Sequence, residues 1–400
     1  SFLNPNWAES FEVPWDSMPK TLLEALQKSK RPTPRDRRKM VRVIIDNVKK
    51  VCPKPLRKQL AVVTRKIVDL HPSSFKDVFD GTLIGTGYDS LLNQLVCRLE
   101  NVNREDVHQA KVPEVRSAKK RSSFIPYPEQ ETSTKDNAEM RREQEALQTI
   151  FKADSSYTED VHVLMTSTHR LQQMDIKLGT SIRELKEAWP FLFTPCGLKS
   201  HFEVLLGVKV TETLDLSLRN KKRVILDFFD KEKHGKPNIM GAWKEAPCST
   251  QDEAEFLRIV LLTMAWFGEE RDGIIQCKEV CLPPKITVKE IERCPDTPLS
   301  PCIIAAGDDI WMPEEYLLLV DGHVVAAAKT FKEAFCMMFA AYFCFHICYA
   351  EKATCTLEFI QRAFFGINPD RGSKGKKGNV AVSKRVLALV QRITECEWNI

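Results

Sequence analysis

The sequence has no GxSxG elbow, no HExxH pair and no CxxC spacing, and no Asp/Glu pair stands apart from a solvated surface. Catalytic groups meet in space rather than in sequence, so these absences lower the enzyme reading without deciding it. No Phe, Tyr or Trp lies between Trp15 and Phe75, so that stretch lacks the side chains that would read bases. The chain opens Ser-Phe-Leu-Asn-Pro-Asn-Trp, without the charged and apolar regions of a secretion signal. It also lacks an initiating Met, from which an upstream segment is expected.

Long hydrophobic runs are equally scarce. The one membrane candidate, Ala334 to Ala350, is apolar apart from His346 and only just reaches the spanning minimum of ~17 residues. Thr330 with Glu333 forms a capping box before it, the start of a soluble-type helix, so a buried central helix is expected and a membrane partner is not. Thirteen cysteines fall in no even framework. Without a secretion signal they read as reduced thiols, placing the protein in the cytoplasm or nucleus.

Charge is present and unevenly placed. The net charge is +5, but residues 1–121 hold 24 Lys+Arg against 14 Asp+Glu. Between Lys20 and Pro72 there are 16 basic residues and four acids. Such asymmetry points to a polyanionic partner.

At 400 residues the chain exceeds one ordinary core, and two or three domains are expected. Residues 1–17 read as an extended arm pinned by Trp7, Phe11 and Trp15. A basic helical module follows over 18–104. Thr33-Pro34-Arg35-Asp36 places an N-cap, a Pro at the first helical position and an acid at the third. The helix behind it buries Val41, Ile44, Ile45, Val48 and Val51 at helical spacing. A second helix carries Leu56, Leu60, Val63, Ile67 and Leu70 on its inner stripe. After a turn through Gly81, Gly85 and Gly87, a third helix has Tyr88, Leu92, Leu95 and Leu99 inward, with a capping box at Thr86 and Asp89. Residues 105–137 read as a polar linker, and residues 138–275 as a second helical region.

Residues 276–400 change character. Ile303–Ala306 and Tyr316–Val320 read as strands, and Asp321-Gly322 is the strongest hairpin signal in the chain. The apolar helix 331–349 comes next, then one with Ala353, Leu357, Ile360 and Phe364 inward and Gly366 beyond its end. A final helix bears Val382, Val386, Leu389 and Ile393. The fold class is therefore mainly α, with a helical N-terminal module, a helical middle and a small α+β region at the C-terminus.

Gly85-Thr86-Gly87 resembles part of a dinucleotide fingerprint, but no third glycine follows and no strand precedes it, so it reads as a turn. Arg371 to Gly378 lacks the spacing of a phosphate loop and reads as a basic loop. Cys344 and Cys348 lie one helical turn apart, with His346 about 200° around the helix from either. Zinc needs four ligands, usually from two clusters, and no second cluster matches, so Cys344 and Cys348 read as core residues. The Cys277/Cys281 and Cys294/Cys302 pairs are weaker still. Asp308, Asp309, Glu314 and Glu315 read as an exposed loop. No cofactor, metal or catalytic residue is expected.

The strings PTPRDRRKMVRVIIDNV, DGTLIGTGYDSLLNQL, WPFLFTPCGLKSHFEVLLGV and CTLEFIQRAFFGINPDRGSK resemble an uncharacterised vertebrate protein family. Some of its members are labelled sterile alpha motif domain-containing protein 3-like. The resemblance covers roughly residues 7–400 and implies no activity, cofactor or catalytic residue. No sterile alpha motif is recognisable in this chain, so that domain's oligomerising role is not expected here.

The expected function is that of a non-enzymatic intracellular binding protein contacting DNA or RNA through its basic N-terminal module. The contacting residues are Arg38, Arg42, Lys49, Lys54, Lys58 and Arg65. The alternative is a protein–protein interaction scaffold, with an acidic protein as partner and the basic face only a solvated surface.

Overall fold

A computed structural model describes residues 7–106, 136–247, 252–278, 298–368 and 382–397. It is mainly α, with a small mixed sheet and a two-stranded hairpin. The chain divides into two compact units. The first comprises residues 7–106 together with Asn368 and 382–394, and the second comprises the remaining described residues up to Ile367. The linker expected at 105–137 lies almost wholly outside the described residues, as do Arg371–Gly378, Cys281 and Cys294.

The first unit is built on α1 (Trp7–Ser10), α2 (Lys20–Gln27), α3 (Pro34–Val51), α4 (Arg57–Leu70), α5 (Pro72–Phe75) and α6 (Asp89–Asp106). The start of α3 follows its sequence signal. Thr33 accepts from the Asp36 N–H, and Pro34, which has no N–H to orphan, opens the helix. In place of an extended arm, Trp7 and Phe11 join the core, 4% and 7% exposed. Lys66 holds the chain there by donating to the carbonyls of Glu9 and Phe11.

Both α3 and α4 pack on α6. Arg37, almost fully buried, donates to Gln94 and Ser90 across the α3–α6 seam, and Arg57 donates to Asn93 from α4. Three expected core positions are exposed instead: Val51 at 46%, Leu56 at 57% and Leu70 at 60%. They sit at or beyond the helix ends, where no neighbouring element lies over the stripe. Between α5 and α6, β1 (Val78–Phe79) and β2 (Thr82–Leu83) form a hairpin. Asp80 and Gly81 both have positive φ at its turn.

The C-terminal helix Lys384–Glu397 belongs largely to this first unit, which splits the region expected at 276–400. Val382, Val386, Leu389 and Ile393 are all buried, and the Lys384 ammonium lies 3.1 Å from Cys97 Sγ on α6.

The second unit merges the remainder of 276–400 with the helical region before it. Its helices are α7 (Asn137–Ala153), α8 (Glu159–Ser167), α9 (His169–Lys177), α10 (Ile182–Ala188), α11 (Pro195–Leu206), α12 (Val210–Glu232), α13 (Pro237–Glu245) and α14 (Asp252–Phe267). Next come β3 (Ile275–Lys278), β4 (Cys302–Ala306), β5 (Glu315–Val320) and β6 (His323–Ala328), then α15 (Phe331–Cys344) and α16 (Thr354–Ala363). The sheet order is β3-β4-β5-β6, with β3 parallel to β4 and the other pairs antiparallel. Asp321 and Gly322, at φ 52° and 76°, make the expected tight turn. The parallel pairing of Ile275–Lys278 with Cys302–Ala306 joins the two expected regions into one body.

At the centre lies α15, buried from Ala334 to Cys344 and packed on the sheet, α11, α12 and α14. Thr330 accepts from the Glu333 N–H as expected, while the Glu333 carboxylate turns to Lys199 at 3.7 Å. The helix stops at Cys344, earlier than the apolar run implies. Ile347 N–H donates to the Tyr342 carbonyl and His346 N–H to that of Phe343, with His346 left-handed at φ 53°. Cys348 is thereby outside the helix and exposed, which corrects its placement in the core. No helix among the described residues is long and apolar enough to cross a membrane.

Candidate nucleic-acid interface

The six cations singled out from the sequence fall into two groups. Arg38 and Arg42 lie one turn apart on α3 and are exposed, whereas Lys49 is half-buried with its ammonium 3.5 Å from the Asn103 side chain. Lys54 precedes α4, which carries Lys58 and Arg65, all three exposed. Arg65 is engaged within the unit: its guanidinium lies 5.4 Å over the Tyr88 ring and donates to the Tyr88 hydroxyl at 3.1 Å. Arg38, Arg42, Lys54 and Lys58 make no ion pair with another described residue.

Several cations of the second unit are paired with carboxylates. Lys222 meets Glu255 at 2.7 Å, Lys332 meets Asp215 at 2.8 Å, and Arg271 meets Glu245 at 2.7 Å. On α3, by contrast, Arg35, Arg38, Lys39 and Arg42 are all exposed at three- and four-residue spacings. Each like-charged pair costs about 0.2–0.5 kcal/mol. Arg35 also sits in the first turn, against the positive end of the helix dipole. Folding alone does not favour this arrangement, and a polyanion would relieve it.

Two features were not read from the sequence. Tyr88, assigned to the inner stripe of α6, is half-buried and carries Arg65 on its face. The C-terminal helix brings exposed Lys384 and Arg385 into the basic unit. The Tyr88 signal was a single aromatic beside a glycine turn; periodicity showed the final helix but not that it belongs to this unit.

The remaining candidates are occupied by the chain itself. In the glycine turn, Asp89 Oδ2 accepts from the Thr86 N–H at 2.7 Å, and the Asn368 side chain accepts from the Gly85 N–H at 2.8 Å. The amides that would cradle a phosphate are thus already used. Asp77 is buried, its carboxyl pushed up by desolvation, and its Oδ2 accepts from the Ser90 N–H at the start of α6. That placement is a buried helix cap.

Among the described residues no group of three or more His, Cys, Asp or Glu is arranged to hold a metal ion. Cys344 is buried with Sγ 3.8 Å from the Leu198 carbonyl, and burial pushes the Cys302 and Cys336 thiols to about 12. Such thiols are protonated and inert at neutral pH. Asp308, Asp309 and Glu314 are exposed.

No family model matches this sequence, and no curated protein or solved structure shows a similarity to it.

Proposed function

We propose that this is a non-enzymatic binding protein whose first unit grips the phosphate backbone of DNA or RNA. The reading rests on one observation: Arg38, Arg42, Lys54 and Lys58 stand exposed with no carboxylate partner among the described residues. Phosphate contact gives affinity without sequence preference. The Tyr88 ring is covered on one face by Arg65, so base stacking contributes little beside it. Arg65 and Lys49 serve the unit's own packing more than a ligand. The described cysteines, Cys52 and Cys336 among them, are free thiols, in keeping with work in the reducing cytoplasm or nucleus.

The test is fluorescence anisotropy of labelled duplex DNA and single-stranded RNA titrated with the full chain. Four engaged cations give a slope of log K against log salt between roughly −3 and −4 on duplex DNA. Reversing Arg38, Arg42, Lys54 and Lys58 together to Glu abolishes binding and leaves the circular dichroism spectrum unchanged. Absence of wild-type binding at low salt, or equal binding by the reversed variant, ends this reading. The scaffold alternative then leads, favoured by exposed Val51 and Leu56 on either side of Lys54.

A further inference from the structure

We propose that a groove on the second unit binds an acidic peptide segment bearing one aromatic or leucine side chain. The groove holds about 570 Å³ and lies between the last turn of α7, one face of α10 from Arg183 to Glu187, and the turn Pro190–Phe193. That size accommodates one large side chain with its adjoining backbone.

Its floor is apolar and fixed from behind. Phe151 packs edge-on against Phe191 at 5.0 Å, and Phe193 stacks on Phe345 at 5.4 Å. Gln148, on the wall, donates to the Ala188 carbonyl at 3.1 Å and so ties α7 to the end of α10. The aromatic surface therefore needs no rearrangement before a side chain enters, which lowers the entropy lost on binding.

Its rim is cationic. Lys152 is exposed and makes no ion pair with a described residue. Arg183 faces Glu187 at 3.7 Å, but their side chains are 79% and 73% exposed, so the pair is weak and the guanidinium stays open to a better partner. Lys186 donates one N–H to the Val324 carbonyl at 3.2 Å and keeps two for a ligand. Three cations and one carboxylate thus surround an apolar floor.

The aromatic floor inside a cationic rim decides between classes of anion. The α7 wall is that helix's final turn, which presents carbonyls, while the α10 wall runs along the helix from Arg183, its second residue, to Glu187. Clustered phosphates carry no apolar group to fill the aromatic floor of Phe151 and Phe193. Carboxylates spaced along a peptide each reach a separate long side chain, while the hydrophobic residue between them fills the floor.

The experiment uses the full chain and short fluorescein-labelled peptides of Asp and Glu around a single central Phe, Tyr, Trp or Leu. At least one is expected to bind saturably. Replacing its central residue by Ala weakens binding at least fivefold. Reversing Lys152 and Arg183 together to Glu, both exposed and outside the core, weakens it at least tenfold with an unchanged melting temperature. The protein with Arg38, Arg42, Lys54 and Lys58 reversed binds the peptide as the wild type does, which separates this groove from the first unit's surface. The proposal falls if no peptide binds at low salt, if the Ala control binds equally, or if the Lys152/Arg183 reversal has no effect. It also falls if that reversal removes duplex DNA binding instead, which assigns the groove to nucleic acid.

Discussion

Glu269 and Lys221 hold opposite ends of the same buried helix, α16. The Glu269 carboxylate accepts from the Cys355 and Thr356 N–H groups at 2.7 and 3.0 Å and from the Thr356 hydroxyl at 2.6 Å. At the other end the Lys221 ammonium, 3% exposed, donates to the Ala363 carbonyl. Each charge opposes the helix dipole at its own terminus and satisfies groups the helix leaves open. Each removal leaves a buried backbone group without its partner, costing about 1–3 kcal/mol. Glu269→Gln and Lys221→Met are therefore each expected to lower the urea midpoint of the second unit. An unchanged midpoint for both would show that water replaces these caps.

The histidines of the second unit predict a pH dependence. Gln172 Nε2 donates to the Met165 carbonyl, so its Oε1 accepts from His201 Nδ1 at 2.8 Å. His201 Nε2 then accepts from Gln173 Nε2, and Gln173 Oε1 accepts from His346 Nε2 at 2.9 Å. The chain fixes His201 neutral and in one tautomer. Burial pushes His201 well below its ordinary value, and pushes His169, whose ring lies 4.4 Å away, down to about 4. The unfolded chain thus takes up protons that the folded one refuses. Stability is full above about pH 6.5 and falls as pH drops toward 4, by about 1.4 kcal/mol per unit for each histidine. Urea midpoints from pH 7.5 to 5 should show this fall, and His169→Gln should flatten it. A flat wild-type profile would refute it.

The legibility of the fold followed the locality of its signals. Thr33-Pro34-Asp36 and Asp321-Gly322 act over three or four residues, and both formed the structures they signal. Periodicity placed Ile44, Val48, Leu60 and Ile67 in the core, but over-extended the stripes to Val51, Leu56 and Leu70. A spacing rule cannot see where the covering neighbour ends. The same blindness carried α15 past Cys344, because the left-handed turn there falls on His346 rather than on a glycine. The first unit's claim on the C-terminal helix and the parallel pairing of Ile275–Lys278 rest on long-range packing, which no local pattern encodes. For the candidate site, exposure of Arg38, Arg42 and Lys58 was legible from helical phase, while Lys54 lies between α3 and α4. The engagement of Arg65 by Tyr88 was not, since Arg65 lies on α4 and Tyr88 in the turn before α6.

Gly85 and Gly81 separate two causes of glycine dependence. Both have positive φ, 61° and 72°, where a side chain costs about 1 kcal/mol. A Cβ at Gly81 meets open space. At Gly85 it would come within 2.3 Å of Asp89 Oδ2 and 2.6 Å of Val382 Cγ2. Relief would require Asp89 to leave the Thr86 N–H and Val382, just before the C-terminal helix, to move. Gly81→Ala is expected to cost about 1 kcal/mol and Gly85→Ala about 2–4 kcal/mol, with overpacking added to the backbone cost. Equal losses in chemical denaturation would mean that the turn is looser than this.

Asp175 ties three elements of the second unit together through one carboxylate. Its two oxygens accept from Arg141 on α7 at 2.8 and 2.9 Å, and Oδ2 also accepts from Trp189 Nε1 at 2.9 Å. Trp189 is fully buried, while the Arg141 side chain is about half exposed. The two bonds therefore differ in worth. Loss of the indole bond strands a buried N–H at about 1–3 kcal/mol, whereas the Arg141 pair is screened and contributes about 1 kcal/mol or less. Asp175→Asn turns an amide toward at least one of these donors and is expected to cost about 2–4 kcal/mol. Arg141→Ala should cost far less. A double-mutant cycle between the two positions then yields a coupling near 1 kcal/mol, because most of the Asp175 effect passes through Trp189. A coupling as large as the whole Asp175→Asn loss would place the energy in the ion pair and contradict this division. Asp175 also braces α7, the wall of the peptide groove. Asp175→Asn should therefore weaken the groove's peptide while leaving duplex DNA affinity unchanged, a contrast readable by anisotropy on one protein sample.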